Sequence, residues 1–298
     1  MKKISKAVIT AAGRGTRFLP ASSVFQKEMV PVMHKPQLQW VIEEALDSGI
    51  NDIAIVVREG VDTLEHYLRK NDNLWKFLKE TGKESLMDSW VAIREKANIT
   101  IFKQRVADPY GNGTPFILAK EFISNEPFAA MWGDDIMVHV DKDKPTCLEQ
   151  MADYFEKYEA AAVMSVEESP MSQLVKGAVY EYHDKDKTEI PYRVRSLIEK
   201  PDPGEIPSKM ANACRFILSS EVVEELENKI EGKGGEIWLT DAVNRLAEKG
   251  KIVLAPPWEG SIWVPVGDPV RWLKANIVVA LNSSEYKEEV ETLLDQVR

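Results

Sequence analysis

Short apolar segments alternate along this 298-residue chain with segments of helical periodicity. Asp52–Arg58 and residues 160–166 are compact apolar runs of the kind that form buried parallel strands. Residues 37–48 instead place apolar side chains at helical spacing, and Gly49 is expected to end that helix. Because strand and helix patterns alternate, the sequence favours a layered α/β architecture. We therefore predict a mixed, mainly parallel sheet with helices on both faces.

The rest of the chain extends this order. Further strands are predicted at 98–104, 127–132, 177–182 and 193–198, with a polar hairpin at 184–189, and helices at 147–159 and, on the outside, within 60–97. Residues 269–282 have the pattern of an amphipathic helix, followed by an exposed helical tail. No repeat or linker interrupts the chain, so we predict one domain over residues 1–298, with 269–298 as a helical extension that is also a candidate oligomer contact.

The composition excludes several classes of protein. With 44% apolar and 29% charged residues the chain is typical of globular proteins, and its net charge of −10 argues against a nucleic-acid partner. No apolar stretch reaches the length of a membrane span, and the run after Lys2 and Lys3 is too short for a signal peptide. Cys147 and Cys214 form neither a metal-ligand pair nor a disulfide framework. We therefore expect a cytoplasmic protein with no membrane partner.

The first predicted strand, residues 7–10, runs into a loop of small residues: Ala11, Ala12, Gly13 and Gly15. Such a loop leaves backbone N–H groups free to face an anion. Residues 1–36 carry seven Lys and Arg against the single acidic residue Glu28, although the whole chain is acidic. A cationic, glycine-lined loop in an acidic protein indicates a small polyphosphate ligand.

Most glycine-rich turns bind no phosphate, and a lone lysine is usually a solvated surface charge. This loop is not a Walker loop, since no Gly-Lys-Ser/Thr follows, and it lacks the third glycine of the Rossmann fingerprint. Arg17 and Lys27 nevertheless follow it as positive charges. They favour a phosphate site of another design.

Three short motifs carry a resemblance to a known family. They are Ala-Ala-Gly-Arg-Gly-Thr-Arg-Phe-Leu-Pro at 11–20, Lys-Glu-Met-Val-Pro at 27–31, and Lys35-Pro36. In order and spacing the chain resembles the sugar-nucleotide pyrophosphorylases, most closely the bacterial UTP–glucose-1-phosphate uridylyltransferases. The resemblance implies a Rossmann-like nucleotidyltransferase fold. It also implies Mg²⁺-dependent transfer of a uridylyl group from UTP to a hexose 1-phosphate, by default glucose 1-phosphate, giving a UDP-sugar and pyrophosphate.

The resemblance also assigns roles to residues at the triphosphate. Arg17 would hold the β- and γ-phosphates and Lys27 would lie near the α-phosphate, both as catalytic groups. Gln104 matches the glutamine that reads the pyrimidine base, and a buried amide has the donor and acceptor that a uracil edge needs. The full set of nucleotide-binding candidates is Ala11, Ala12, Gly13, Gly15, Thr16, Gln104 and Gly111.

A second group of candidates concerns metal and sugar. Asp134 matches the family's Mg²⁺ ligand and follows a predicted strand. Ligands gather at the carboxyl ends of strands in open α/β sheets, so a carboxylate there is well placed to hold Mg²⁺. Glu199 would accept hydrogen bonds from sugar hydroxyls, Lys200 would pair with the sugar phosphate, and the backbone at Gly177 would approach the sugar ring. By themselves, a Gly-Asp-Asp tripeptide is usually a turn and Lys-Pro a plain strand exit. Asp135 is expected to support its neighbour Asp134.

Several departures from the family pattern fall at the site. The family's Gly-Leu-Gly-His-Ala is here Gly-Asn-Gly-Thr-Pro at 111–115. Pro265 stands where the family has its second metal aspartate, and Asp268 lies three residues further on. Asn212 stands in place of an apolar residue, Cys214 in place of a glycine and Trp238 in place of a glutamine. Two alternatives therefore stay open. One is a catalytically weak paralogue that binds nucleotide-sugar in a regulatory or assembly role, and the other is a transferase with a different sugar or base.

Two further expectations remain. The resemblance suggests a homodimer or homotetramer. The Thr240-Asp241 pair has the composition of a helix N-cap, so a structural role for it is at least as favoured as sugar contact.

Overall fold

The computed structural model of the chain describes residues 3–184 and 189–297. The strands are β1 (Lys6–Ala11), β2 (Pro31–Val32), β3 (Lys35–Pro36), β4 (Asp52–Arg58), β5 (Asn98–Gln104), β6 (Phe128–Trp132), β7 (Asp135–His139), β8 (Ala162–Glu168), β9 (Ala178–Tyr182), β10 (Val194–Glu199), β11 (Met210–Leu218), β12 (Val253–Leu254) and β13 (Ser261–Pro265).

The helices alternate with these strands, as the sequence predicts. They are α1 (Gln37–Asp47), α2 (Thr63–Leu68), α3 (Asp72–Thr81), α4 (Asp88–Lys96), α5 (Thr114–Leu118), α6 (Lys120–Ile123), α7 (Cys147–Lys157), α8 (Met171–Leu174), α9 (Glu221–Glu227), α10 (Leu239–Glu248), α11 (Pro269–Leu281) and α12 (Lys287–Gln296). None of the helices in the described ranges is long and apolar enough to cross a membrane.

The main sheet has the order β10-β9-β11-β6-β1-β4-β5, with β8 joined to β11 and β12 joined to β8. Strands β6, β1, β4 and β5 run parallel, whereas β11 runs antiparallel to β6, β8 and β9. The predicted α/β fold with a mixed sheet is therefore confirmed, with the parallel part at its centre.

Helices cover both faces of this sheet. In β1, Val8 packs into the cluster that contains Phe116 and Phe128, while its neighbour Ile9 packs into the cluster that contains Ile42 of α1. Consecutive strand residues point to opposite faces, so a strand buried on both sides reads as a continuous apolar run. That is why β1 and β4 were recognisable from sequence.

Some element predictions were wrong in detail. The helix predicted at 147–159 ends at Lys157, and the strand predicted at 160–166 lies at Ala162–Glu168. Helix α10 begins at Leu239, so Thr240 and Asp241 lie inside it and are not its N-cap. The hairpin predicted at 184–189 includes 185–188, which lie outside the described residues.

The sequence analysis did not predict a small second sheet, in which β7 pairs antiparallel with β13. It also did not predict β11, although that strand pairs with three others. The two C-terminal helices were predicted, and no residue of α12 is buried in the described chain. Whether the chain functions as one domain stays a prediction.

Candidate active site

The glycine loop and the acidic turn meet because their strands are neighbours. Strands β1 and β6 are parallel, with Thr10 opposite Trp132, so the segments that follow the two strands leave the sheet at the same edge. The backbone N–H of Gly133 donates to the Thr10 carbonyl at 3.0 Å. In open α/β sheets the carboxyl ends of strands form the ligand-binding edge. Ala11 and Asp134 are therefore brought to one place although they are distant in sequence.

Lys27 lies at the centre of this edge. Its Nζ lies 2.5 Å from Asp134 Oδ2 and 3.6 Å from Glu28 Oε1. Burial alone lowers the pKa of Lys27, but the carboxylates of Asp134 and Glu28 outweigh it and raise the pKa above the ordinary lysine value. Lys27 is therefore positively charged at neutral pH.

The glycine loop packs directly on this lysine. A Cβ added to Gly13 would lie 2.9 Å from Lys27 Cε, and one added to Gly15 would lie 3.1 Å from Lys27 Cβ. Gly15 also has a φ of 63°, a conformation that side chains other than glycine rarely adopt. Ser22 donates to the Gly15 carbonyl at 2.7 Å and Gln26 donates to the Ala11 carbonyl at 2.6 Å. The loop is thus shaped to admit Lys27 beside it.

Glu28 is a site residue that the sequence analysis did not assign. It is 1% exposed, and its Oε2 has no hydrogen-bond partner within the described ranges. Burial raises its pKa to about 7; Lys27 opposes this shift and Asp134 adds to it. The sequence feature that could have identified Glu28 as a site residue is its position in the Lys-Glu-Met-Val-Pro motif. The neighbouring residues gave no indication that its side chain is buried.

A cleft of about 210 Å³ opens at this edge. Among the predicted residues it is lined by Ala12, Gly13, Lys27, Gln104, Gly111 and Asp134. Tyr110, Trp132 and Glu236 also line it, and the sequence analysis did not select them. Ala11 ends β1 immediately before this cleft, and Gly15 and Thr16 follow at the start of a short 3-10 turn. The cleft therefore joins the predicted base-reading residues to part of the predicted phosphate-binding set; Ala11, Gly15, Thr16 and Arg17 are not among the residues that line it.

A second cleft of about 570 Å³ lies beside the first. Arg17, Gly177 and Lys200 line it, together with Cys214 and Trp263. An added Cβ on Gly177 would meet no atom within 4 Å, so this glycine borders open space. Lys200 Nζ lies 4.2 Å from the centre of the Trp238 ring, a cation–π contact.

Glu199 lies next to this second cleft and is not one of the residues that line it. Its Oε2 accepts a hydrogen bond from Thr240 Oγ1 at 3.3 Å. Burial raises the pKa of Glu199, while Lys200 and the Thr240 hydroxyl partly offset that effect. Thr240, predicted as a helix cap, instead supports a predicted sugar-binding carboxylate.

Arg17 reaches across to the C-terminal part of the chain. It is exposed, and its Nη1 donates to the Gly267 carbonyl at 3.4 Å. A Cβ on Gly267 would lie 3.3 Å from Asp134 Oδ2 and 3.4 Å from Arg17 Nη1. Arg17 and Asp134 therefore converge on the small space beside Gly267.

Comparison with known proteins identifies the family. The nucleotidyl transferase family model matches residues 6–280. The chain belongs to the nucleotidyl transferase family. The UTP–glucose-1-phosphate uridylyltransferase of Staphylococcus epidermidis is 37% identical to it over 297 residues, covering 100% of this chain and 99% of the relative. The UTP–glucose-1-phosphate uridylyltransferase of Streptococcus pneumoniae is 36% identical, covering 99% of this chain and 96% of the relative.

Solved structures agree with this assignment. A UDP-glucose pyrophosphorylase complexed with UDP-glucose is 30% identical with a TM-score of 0.81, covering 93% of this chain and 98% of that chain. A UTP-bound UGPase from Acinetobacter baumannii is 27% identical with a TM-score of 0.84, covering 99% of this chain and 100% of that chain. The predicted Rossmann-like nucleotidyltransferase fold is thereby confirmed.

In this nucleotidyl transferase the altered loop at 111–115 is held by the segment before α10. Gly113 N donates to the Ile237 carbonyl at 2.9 Å, and Leu239 N donates to Asn112 Oδ1 at 2.8 Å. Gly111 has a φ of 140°, and a Cβ there would lie 2.2 Å from the Ile237 carbonyl oxygen. Asn112 therefore satisfies a free N–H at the start of α10, which an apolar residue at this position would not do.

Position 265, at which the resemblance predicts a second metal aspartate, is a proline. Pro265 is the register partner of Asp135 in the β7–β13 pair, so position 265 faces the acidic turn with a side chain that has no oxygen. Asp268, three residues further on, is the N-cap of α11: its Oδ1 accepts from the backbone N–H groups of Val270 and Arg271, and its Oδ2 lies 3.4 Å from Arg271 Nε. The described residues contain no cluster of three His, Cys, Asp or Glu side chains able to hold a metal ion.

Proposed function

We propose that the protein transfers a uridylyl group from UTP to glucose 1-phosphate, giving UDP-glucose and pyrophosphate. The observation that carries this proposal is the Lys27–Asp134 ion pair beside the cleft lined by Gly13, Gln104 and Gly111. This pair brings a cation and a carboxylate together at a cleft of about 210 Å³, and we assign the second cleft to the acceptor. The names of the full-length relatives support the same reaction.

In this reaction a phosphate oxygen of the sugar 1-phosphate attacks the α-phosphorus of UTP. One P–O bond forms, the bond to the β-phosphate oxygen breaks, and pyrophosphate leaves with its charge. Because two anions must approach each other, the main task of the protein is to supply fixed positive charge. We assign Lys27 to the charge at the α-phosphate and Arg17 to the charge at the leaving β- and γ-phosphates.

We assign Gln104 and Gly111 to the base, and Ala11, Ala12, Gly13, Gly15 and Thr16 to the triphosphate. Gly13 and Gly15 leave the space that the Lys27 side chain occupies beside the loop, and Gln104 Nε2 makes a long contact of 3.5 Å with the Pro109 carbonyl. A weakly held amide is available to a uracil edge.

For the acceptor we assign Glu199, Lys200 and Gly177. Ionised Glu199 accepts hydrogen bonds from sugar hydroxyls, Lys200 pairs with the sugar phosphate, and the open space above Gly177 admits the ring. The Thr240 hydroxyl holds the Glu199 carboxylate in place.

A divalent cation is common in this family, and the Asp134 side chain fits one. It is 15% exposed at the cleft, and Mg²⁺ is typically held by one or two carboxylates together with water and substrate phosphates. Asp134 would hold the ion, which supplies charge neutralisation at the phosphate oxygens when bound. With proline at 265, Asp134 is the protein carboxylate we assign to it.

We also propose that residues 1–298 act as one domain in the cytoplasm, and that the chain forms a homodimer or homotetramer. The helices α11 and α12 support a contact at residues 269–298, since α12 exposes Leu293.

Pyrophosphate release tests the proposed reaction. Purified protein is assayed with UTP and four other nucleoside triphosphates against glucose 1-phosphate and a panel of sugar 1-phosphates in Mg²⁺. We expect the highest kcat/KM with UTP and glucose 1-phosphate. If only another pair of substrates is turned over, the proposed substrates are wrong. If the protein binds UDP-glucose but turns over no pair, it is the catalytically weak, nucleotide-sugar-binding paralogue and not an active transferase.

A further inference from the structure

A buried ion pair lies directly beneath the acidic turn formed by Gly133, Asp134 and Asp135. Arg215 of β11 is 0% exposed and Glu44 of α1 is 8% exposed. Arg215 Nε lies 3.0 Å from Glu44 Oε1, and Arg215 Nη2 lies 2.7 Å from Glu44 Oε2. This is the two-pronged geometry that a guanidinium forms with a carboxylate.

The same guanidinium also holds the acidic turn. Arg215 Nη2 donates to the main-chain carbonyl of Asp135 at 2.6 Å. The other two residues of the turn are held by other elements: Gly133 N donates to the Thr10 carbonyl at 3.0 Å, and the Asp134 carbonyl accepts from Val266 N at 2.9 Å. Trp263 Nε1 of β13 also donates to Asp135 Oδ1 at 3.2 Å. Every residue of the turn is therefore hydrogen-bonded, and the contact to the main-chain carbonyl of Asp135 comes from a buried charge.

The strand that carries Arg215 is bent at this point. The register of β11 against β8 shifts between Asn212 and Phe216, and Cys214 has a φ of 65°. Asn212 Oδ1 accepts from Cys214 N at 2.8 Å, and Ser165 Oγ accepts from Arg215 N at 3.0 Å, so the bend is hydrogen-bonded. Bulges of this kind redirect a side chain next to a functional site.

Stability by itself does not account for a buried pair at this position. Taking two charges out of water costs about as much free energy as their attraction returns, and apolar residues of similar volume often give an equal or more stable fold. The contact to Asp135 gives the pair a task that apolar residues would not perform.

We propose that Arg215, held by Glu44, is a positioning residue that fixes the main chain at Asp135 so that the Asp134 carboxylate faces Lys27. Arg215 touches no phosphate; it acts through the turn. The inference rests on the proposed function, because the geometry that it protects is the one assigned to uridylyl transfer.

The deciding variant removes both charges at once. R215M/E44L replaces the pair with apolar side chains, so neither charge is left buried alone, and we expect its Tm to be equal to or above that of the wild type. We expect kcat to fall at least tenfold while KM for UTP changes less than threefold. Amide hydrogen exchange of the peptide covering 132–136 should be faster in the absence of nucleotide and metal.

A matched pair serves as the control. Arg245 and Glu225 join α10 to α9 away from both clefts, with 3.4 Å between Arg245 Nε and Glu225 Oε2. R245M/E225L should leave kcat and the exchange of residues 132–136 unchanged. If R215M/E44L fails to fold, R215K is used, because one ammonium keeps the charge opposite Glu44 without reaching Asp135 as well; the same loss of kcat and faster exchange are expected.

Unchanged kcat in the folded variant, or unchanged exchange at the turn, overturns the inference. If instead the proposed function is wrong, the wild type transfers no uridylyl group. The difference in amide hydrogen exchange at 132–136 between the wild type and R215M/E44L then still shows whether the Arg215–Glu44 pair holds the turn.

Discussion

Lys27 Nζ lies 2.5 Å from Asp134 Oδ2, although the two residues are 107 positions apart in the sequence. The first follows the glycine loop after β1 and the second follows β6. Their contact joins the predicted phosphate site to the predicted metal site, so each should depend on the other.

Replacing Lys27 with methionine should abolish most activity without unfolding the protein. The change removes a fixed charge placed at the α-phosphate, and the loss of one such group typically lowers kcat by about 10²- to 10³-fold. The measurement is steady-state pyrophosphate release together with thermal unfolding. Lys251, which pairs with Glu221 on the surface, gives the control K251M with unchanged kcat. Near-normal activity of K27M would mean that the site is assigned wrongly.

Gly13→Ala tests the packing of the loop against Lys27. The new Cβ would lie 2.9 Å from Lys27 Cε, and a flexible side chain can move away at little cost in stability. A displacement of about 1 Å at a reacting centre is expected to lower kcat by roughly 10- to 100-fold. Gly204→Ala, where an added Cβ meets nothing within 4 Å, is the matched control and should be silent. Equal kcat in the two variants would contradict the packing argument.

Asn112 provides a test of the altered base loop. Asn112→Ala leaves the Leu239 N–H without its acceptor, so the free energy of unfolding should fall by about 1 kcal/mol. Since the loop forms one wall of the nucleotide cleft, KM for UTP should rise as well. Asn112→Asp keeps the acceptor oxygen and should restore both quantities, as measured by chemical denaturation and kinetics. If both variants lose stability equally, the hydrogen bond is not the cause.

Pro265→Asp tests whether the absence of a carboxylate at position 265 weakens Mg²⁺ binding. Position 265 faces Asp135 across the β7–β13 pair, so an aspartate there adds an oxygen ligand beside the acidic turn. The Mg²⁺ concentration for half-maximal activity should fall by about tenfold. Ile262→Asp adds the same charge to the same strand at an exposed position and should not change it. An unchanged Mg²⁺ requirement in P265D would show that the added carboxylate does not reach the ion.

Glu199 predicts a pH dependence of sugar binding. Burial raises its pKa above the ordinary glutamate value, so on acidification it takes up a proton earlier than an exposed glutamate would. KM for glucose 1-phosphate should therefore rise as the pH falls through that raised pKa. Glu199→Gln cannot titrate, so comparison with this variant separates the effect of Glu199 from titration of the substrate phosphate. Identical pH profiles for KM would exclude Glu199 as the group responsible.

The same shift fixes the sign of its effect on stability. A carboxyl whose pKa is raised on folding binds more protons in the native state than in the unfolded state, so the free energy of unfolding decreases as the pH rises from the unfolded pKa past the raised one. Glu199→Gln should weaken that decrease, measured by thermal unfolding without substrates.

Local sequence patterns were enough to predict the α/β fold class, and they also indicated one short segment as a candidate for phosphate binding. Buried parallel strands such as β4 read as continuous apolar runs, and the glycine loop with Arg17 and Lys27 lies within one short stretch of chain. Local patterns of this kind depend on neighbouring residues, so they are visible without a fold.

The contacts between residues that are distant in sequence became visible only in the folded chain. Arg215 meets Glu44 across 171 positions, Pro265 faces Asp135 through the pairing of β13 with β7, and Glu28 is buried because the acidic turn and the glycine loop close around it. Thr240 has the composition of a helix cap, yet it lies inside α10 and holds Glu199. Register, burial and long-range hydrogen bonds are set by how the layers pack, and no local pattern of residues encodes them.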